Sequence, residues 1–518
     1  MRPRSVSFSR AVGYLAALLV SAAAALPAFP QQAPPRRADD QELANSIQEL
    51  RSEIEQLRGA VSELRSEADQ YRAENQQLRK ELEGIRASAQ PTRPQEPASA
   101  GQPGSRPDSA GEQSVSSIED TTQVQQSQLR TLYQTKVESA SKYRLRVSGL
   151  VLLNLFRNNG GVDDQDVPTY ATRAAPYGAS PTFGATLRQS EIGLEVFGPS
   201  LGGAKTSGQV YFDFGGGFPN AVQDGVNTGL VRLRTGDVRL DWENTSVVAG
   251  QDNLFISPNS PTSFASLLEP SLSYSGNLWA WTPQLRVERR FRFARSQAIA
   301  IQGAILDNLT GELSYGTLRV PSAGESSGQP AYAMRTYWQD NVNERPLILG
   351  VSGYYSRQNW GYGRNVDGWA GIADLRIPLP ARFEFSGEFY RGRAIGGLGG
   401  GIGQSVLFSA APTSPMVGFR PLNSAGGWSQ LKFSVNSRLE FNGAFGSDNP
   451  FAADLHAFAA PVGIYNTVLT SNRTEMANFI YRPRSDLVFS GEYRRLHTTQ
   501  IGSSFTADHV NLMMGVFF

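Results

Sequence analysis

Cysteine is absent from the 518 residues, and histidine occurs only three times, at His456, His497 and His509. The first absence excludes disulfides, thiolate metal sites and cysteine nucleophiles. The second leaves little for imidazole-based metal or triad chemistry. His456 and His497 are expected in loops, in no recognisable motif, so neither an enzyme nor a metal or cofactor site is expected. An excess of either charge is missing too: 48 Lys and Arg stand against 47 Asp and Glu. That balance provides no basic face for nucleic acid. Long hydrophobic runs are lacking as well. Beyond the apolar stretch from Ala11 to Leu26, nothing reaches the ~18 consecutive apolar residues of a helical membrane span. What remains is a long chain with 52 Gly and 40% apolar residues, too large for one ordinary soluble domain.

Arg2, Arg4 and Arg10 precede the apolar stretch, and small residues crowd toward Ala28. Residues 1–30 thus have the layout of a secretory signal peptide, a retained anchor being the alternative. From 39 to 86 the apolar spacing becomes four-three. Ile47, Leu50, Ile54, Leu57, Val61, Leu64, Leu78 and Leu82 mark one seam, the pattern of a coiled coil with a 3.5-residue period. Arg51, Arg58, Arg65, Arg72 and Arg79 flank it on one side, and Glu53, Glu67, Glu74 and Glu81 on the other. Pairing Glu53 with Arg58 of a neighbour requires parallel identical strands, so the segment predicts a homo-oligomer. The β-branched residues and Asn75 at a, with Leu at d, lean toward two strands. Residues 87–142 are rich in Pro, Ser, Gly and Gln and read as a flexible linker.

From 143 to 518 the period is two. Leu285, Val287, Phe291 and Phe293 oppose Arg286, Glu288, Arg290 and Arg292; Phe383, Phe385 and Phe389 oppose Glu384 and Glu388. A charged second face fits a soluble sheet with one wet side, or a membrane barrel with water inside. Connection lengths favour the barrel. Strands are expected at 143–156, 186–197, 206–214, 229–242, 246–251, 282–293, 297–307, 331–339, 347–357, 367–377, 382–392, 428–435, 438–446, 474–481, 486–497 and 505–518. Short breaks such as 243–245, 294–296, 378–381 and 482–485 alternate with long ones such as 157–181, 252–281, 308–330 and 393–427. The expected fold is therefore all-β, a sixteen-stranded antiparallel transmembrane barrel preceded by an α-helical coiled coil. Closure satisfies every backbone group in lipid. Trp279, Trp281, Trp338, Trp360 and Trp369 lie near expected strand ends, where an interfacial girdle belongs. The chain ends in an alternating apolar strand with Phe518, similar to the signal read by the barrel-assembly machinery.

This layout resembles the DcaP-like porins. The carriers are Arg188-Gln189-Ser190-Glu191 in an early strand, then Tyr211, Asp213 and Phe214, then Leu230 to Arg234, then Ala249-Gly250-Gln251. Late in the chain, Asn478 to Pro483 and Gly491-Glu492-Tyr493 complete the likeness. Glu191 stands where the family motif carries a second Arg. The phosphate-selective porins share a similar early plan. The resemblance implies a trimer in the outer membrane of a Gram-negative-type bacterium, with the coiled coil in the periplasm within reach of peptidoglycan.

Sixteen strands enclose an aqueous lumen, so passive passage of small hydrophilic solutes is the expected function. Arg144, Arg146, Arg232, Arg234, Arg286, Arg290 and Arg292 fall on expected lumen faces in the first half, which leans toward anions such as carboxylates or phosphate. Glu384, Glu388, Glu440 and Glu492 face them from the second. Segment 252–281 occupies the position of an infolding constriction loop, with Asp252, Phe255, Phe264 and Glu269 as candidates; an ordinary external loop or a trimer contact is the other reading. Arg188 shares the parity of Ile192 and Leu194, so an inward side chain there requires a bulge. The rival function is a structural anchor that tethers the envelope through its coiled coil.

Overall fold

The computed structural model describes residues 135–137, 144–174, 180–217, 229–294, 296–312, 319–342, 344–463 and 468–518. The signal-peptide, coiled-coil and most of the linker residues, the seam positions Ile47 to Leu82 among them, lie outside these.

Sixteen antiparallel staves follow one another in chain order. They are β1 (Arg144–Asn159), β2 in two segments (Thr182–Thr186 and Glu191–Phe197), β3 (Lys205–Asp213), β4 (Arg232–Asp241) and β5 (Thr245–Asn253). Next come β6 (Trp281–Arg292), β7 (Ala298–Leu306), β8 (Ala331–Val342), β9 (Arg345–Asn359), β10 (Asn365–Pro378) and β11 (Phe383–Arg393). The set ends with β12 (Asn423–Ser434), β13 (Leu439–Pro450), β14 (Leu469–Arg484), β15 (Leu487–Gln500) and β16 (Ser503–Phe517). Each pairs with the next, and β16 returns to β1 in register from Leu150↔Phe517 to Asn159↔Asp508. The sheet is closed. Phe518 completes the seam: it donates its N–H to the Gly149 carbonyl and accepts the Gly149 N–H. The Phe518 ring occupies the space where a Cβ of residue 149 would lie.

Alternation decides which residues face outward. On β1, Val151, Leu153 and Leu155 are exposed while Ser148, Asn154 and Asn158 are buried; on β16, Val510, Leu512, Met514 and Val516 are exposed while His509 and Asn511 are buried. The outward positions are apolar and most polar residues face inward, the reverse of a water-soluble sheet, with inward apolar residues such as Leu150, Leu152 and Met513 where the lumen is packed. Such a surface is stable only in lipid, where closure also leaves no unpaired edge.

One end carries short turns: 198–204, 242–244, 293–297, 343–344, 379–382, 435–438 and 485–486. The other carries 160–181, 214–231, 254–280, 307–330, 394–422 and 451–468, interrupted by two short connections, 360–364 and 501–502. In the last of these Gly502 supplies the positive φ that a two-residue hairpin needs.

The gap in β2 explains Arg188. Residues Leu187–Ser190 leave the ladder, parity is reset, and Arg188, Gln189, Ser190 and Glu191 are all buried in succession. Arg188 binds Asp166 at 2.7 Å and Asp164 at 3.2 Å on the loop after β1.

Candidate functional site: the lumen and its infolded loops

The connection between β5 and β6 runs inside the barrel. Its apolar residues anchor it at two places. Leu254, Phe255, Ile256 and Leu278 pack with Leu306, Ala331, Tyr354 and Tyr390, and Phe264, Ala265 and Leu267 pack with Leu150, Leu152, Ile480 and Met513. Its polar groups bind wall residues on several staves. Ser257 Oγ donates to Glu388 at 2.8 Å, Thr262 N–H to Gln430 at 2.6 Å and Ser263 Oγ to Glu492 at 2.5 Å. Leu267 N–H donates to Gln189, while Asn478 donates to the Thr262 carbonyl and Arg494 to Ser266 Oγ. The segment crosses the lumen from the β11–β12 wall, at Glu388 and Gln430, to the wall formed by β15 and the β1–β2 side, at Glu492 and Gln189. At Gly276 the loop comes close against the wall, since a Cβ there would lie 2.3 Å from the Gly427 carbonyl oxygen.

Two further loops enter. Residues 394–408 after β11 put Ala394, Ile395, Leu398 and Ile402 into buried positions, and the backbone N–H of Trp279 donates to the Leu398 carbonyl. Residues 161–174 after β1 place Pro168 and Thr169 carbonyls on Arg494 and Asn472. Neither carries an apolar periodicity, and the glycines of 396–403 read only as loop punctuation.

Charged residues facing the lumen are paired. Arg146 bonds Glu195 at 3.1 Å, Arg232 binds Asp213 through two nitrogens, Arg234 pairs with Glu191, Arg286 with Asp252 at 3.2 Å and Arg290 with Glu288. In the second half Arg376 pairs with Glu384 at 3.1 Å, Arg494 with Glu492 at 2.6 Å and Arg482 with Glu440 at 3.7 Å. Glu388 is met by Ser257 rather than by a cation. Arg335 and Asp374, bonded at 2.9 Å, belong to the same wall and were missed. Both sit in alternating strands, but nothing in the linear order signals that they meet.

Several expectations need correction. Asp252 is a strand residue of β5 paired across to β6, not a loop residue, because the ladder runs on to Asn253. Arg292 keeps the inward parity but ends β6 in an exposed position, and Arg144 is exposed at the start of β1. Trp279 and Trp281 line an internal cavity, and Trp360 packs on Phe408, so these three are not girdle residues. Trp369 is exposed on the outer face. His497 lies within β15 and His509 is buried between Asn158 and Asn511.

At the long-loop end lies a cavity of about 840 Å³, lined among others by Arg232, Glu269, Tyr274, Trp279, Trp281 and Gln404. Trp279 stands edge-on to Trp281 at 5.2 Å and to Tyr274 at 6.3 Å. The guanidinium groups of Arg232 and Arg234 lie 4.8 and 4.9 Å from the Trp281 ring. Burial pushes the Glu269 carboxyl up to about 8, with Asp163 adding to the shift and Arg232 opposing it. Asp166, desolvated and beside Asp164, is pushed up to about 7.

No family profile matches the chain, and no curated protein matches it in sequence. Solved structures do match in fold. The crystal structure of the outer membrane channel DcaP of Acinetobacter baumannii is 13% identical, with 74% of this chain and 99% of that one covered at a TM-score of 0.54. An anion-selective porin from Comamonas acidovorans (11% identity, 73% and 100% covered, TM-score 0.44) and OprB of Pseudomonas putida (11%, 73% and 94%, 0.42) are also similar. The fold of this chain is that of the porin-type outer-membrane barrels.

Proposed function

We propose that the protein is an outer-membrane porin, a water-filled channel for passive diffusion of small hydrophilic solutes. One observation carries the reading: a closed barrel of inverted polarity holds a loop strapped across its lumen by hydrogen bonds to opposite walls. Such a strap narrows a lumen that sixteen strands would leave wide. Phe255, Phe264 and Glu269 belong to the constriction, with Phe255 and Phe264 as its anchors. The DcaP-like porins remain the group that its early and late motifs resemble.

The Arg stripe argues for only a weak anion preference. Arg146, Arg232, Arg234, Arg286 and Arg290 each have a carboxylate partner, so their charge is largely cancelled locally. Arg144 and Arg292 stand at the short-turn mouth and supply what preference there is. The coiled coil is assigned to the periplasm, where it holds a homo-oligomer, a trimer by analogy with porins, beneath the barrels. Conductance of the full chain in planar bilayers tests the proposal. In a KCl gradient, stepwise channels are expected with a reversal potential near zero, on the anion side. The dense bonding of the strap favours one rival, a barrel closed by its loops that anchors the coiled coil to the envelope. Silent bilayers with correctly inserted protein would select it.

A further inference from the structure

The cavity beside Trp279 holds more specific chemistry than diffusion requires. We propose that it is a binding subsite for a neutral, polyhydroxylated ring solute of mono- or disaccharide size. The proposal rests on the channel reading above and names the class of solute the channel favours.

The volume of about 840 Å³ lies within the range of small-molecule pockets, ~300–1,000 Å³. Tyr274, Trp279 and Trp281 provide flat apolar faces and edges against which the C–H faces of a sugar ring pack. Beside Trp279 the lining is bare backbone: Gly396, Gly397 and Gly399 border the cavity, and a Cβ on Gly399 would stand 3.2 Å from the Trp279 ring.

Three polar atoms at the cavity wall have no hydrogen-bond partner: Glu269 Oε2, Gln404 Oε1 and Trp279 Nε1. Gln404 is only 2% exposed and spends its amide nitrogen on the Gly401 and Leu469 carbonyls. A buried orphan costs ~1–3 kcal/mol, which a solute hydroxyl reaching it from the cavity relieves.

The set of orphans discriminates between ligands. An anion finds little here: Arg232 is engaged by Asp213 and the Leu268 carbonyl, and the exposed Arg173 shares the lining with the carboxyl groups of Asp163 and Glu269. An ammonium ion would serve the two acceptors and leave the Trp279 N–H unmet. Glu269, held largely protonated at neutral pH by its burial, would not attract it. Hydroxyl groups donate and accept, so one polyol meets all three atoms.

The test uses the full chain in planar bilayers with maltose added from the long-loop side. Concentration-dependent interruptions of the KCl current are expected. Trp279→Ala should raise the half-saturating maltose concentration at least about tenfold and Glu269→Ala at least about threefold, while Tyr362→Ala, on the short 360–364 connection, should leave it unchanged. Should Trp279→Ala fail to show the heat-dependent gel shift of a folded barrel, Glu269→Ala decides. Interruptions by benzoate or choline but not by maltose would overturn the sugar assignment, as would block by maltose that is indifferent to both substitutions. Absence of any KCl current would refute the channel reading instead. Calorimetric titration of maltose into detergent-solubilised protein then decides the subsite separately: saturable heat supports it, and none overturns it.

Discussion

Gly350 shows how much of the lumen wall is invisible in linear order. It sits on β9 opposite Tyr337 of β8 and Asp374 of β10. Arg335 and Asp374 bond across it, from strands that are not neighbours, and a Cβ at 350 would lie 2.3 Å from Asp374 Oδ1. The inward parity of such residues is legible from the period of two; the partner is not, because it depends on register and on which intervening residue is small. Gly350→Val should therefore break a pair whose members are almost fully buried and cost about 3 kcal/mol, read as a lower urea midpoint for unfolding from vesicles. Arg188 carries the same lesson, since its direction follows from a gap in β2 that alternation alone does not reveal. Glu269 permits a prediction with a definite sign. Its carboxyl is at about 8 in the folded chain against an ordinary 4.5, so the folded state holds a proton that the unfolded state releases. Stability is then fully present below about pH 4.5 and is lost as pH rises toward 8. Asp163 and Asp166, also pushed up, act in the same direction. Between pH 5 and pH 9 the melting temperature should fall further for the natural protein than for Glu269→Gln.

The strands were the most legible elements. All sixteen expected ranges overlap a stave, because each carries apolar residues on one parity and polar residues on the other. Their ends differ most at the long-loop side, where β14 starts at Leu469 and β12 at Asn423, stretches whose small polar residues resemble loop. Infolding was legible for 254–280 through its apolar anchors. It was not legible for 394–408, where close backbone contacts depend on glycines: Gly397 fits only because it has no Cβ, which would stand 2.3 Å from the Leu309 backbone. Replacing 258–277 with a short Gly-Ser linker removes the strap but none of the sixteen ladders. The barrel should still insert, and its single-channel conductance should rise at least about twofold as the narrowing is lost.

At the scale of the whole molecule, the proposed reading assigns closure and oligomerisation to separate parts of the chain. The ladders that join the sixteen staves, including the β1–β16 seam, lie between Arg144 and Phe517, with one short strand, Thr135–Val137, added beside the start of β1, and the stability of the barrel comes from backbone pairing, lumen contacts and an apolar exterior in lipid. Nothing in that set requires residues 39–86. The four-three spacing of Ile47, Leu50, Ile54, Leu57, Val61, Leu64, Leu78 and Leu82 is instead proposed to give an apolar seam that needs a partner helix. Deleting 39–86 while keeping the export signal should thus leave a barrel that inserts, resists heat in detergent and conducts. Its mass by light scattering in detergent should drop to that of one chain, whereas the full protein should give a small integer multiple. A deletion variant that keeps the full oligomer would move the contact between subunits to the barrel wall, where the exposed apolar faces of β1 and β16 would be the surface to mutate next.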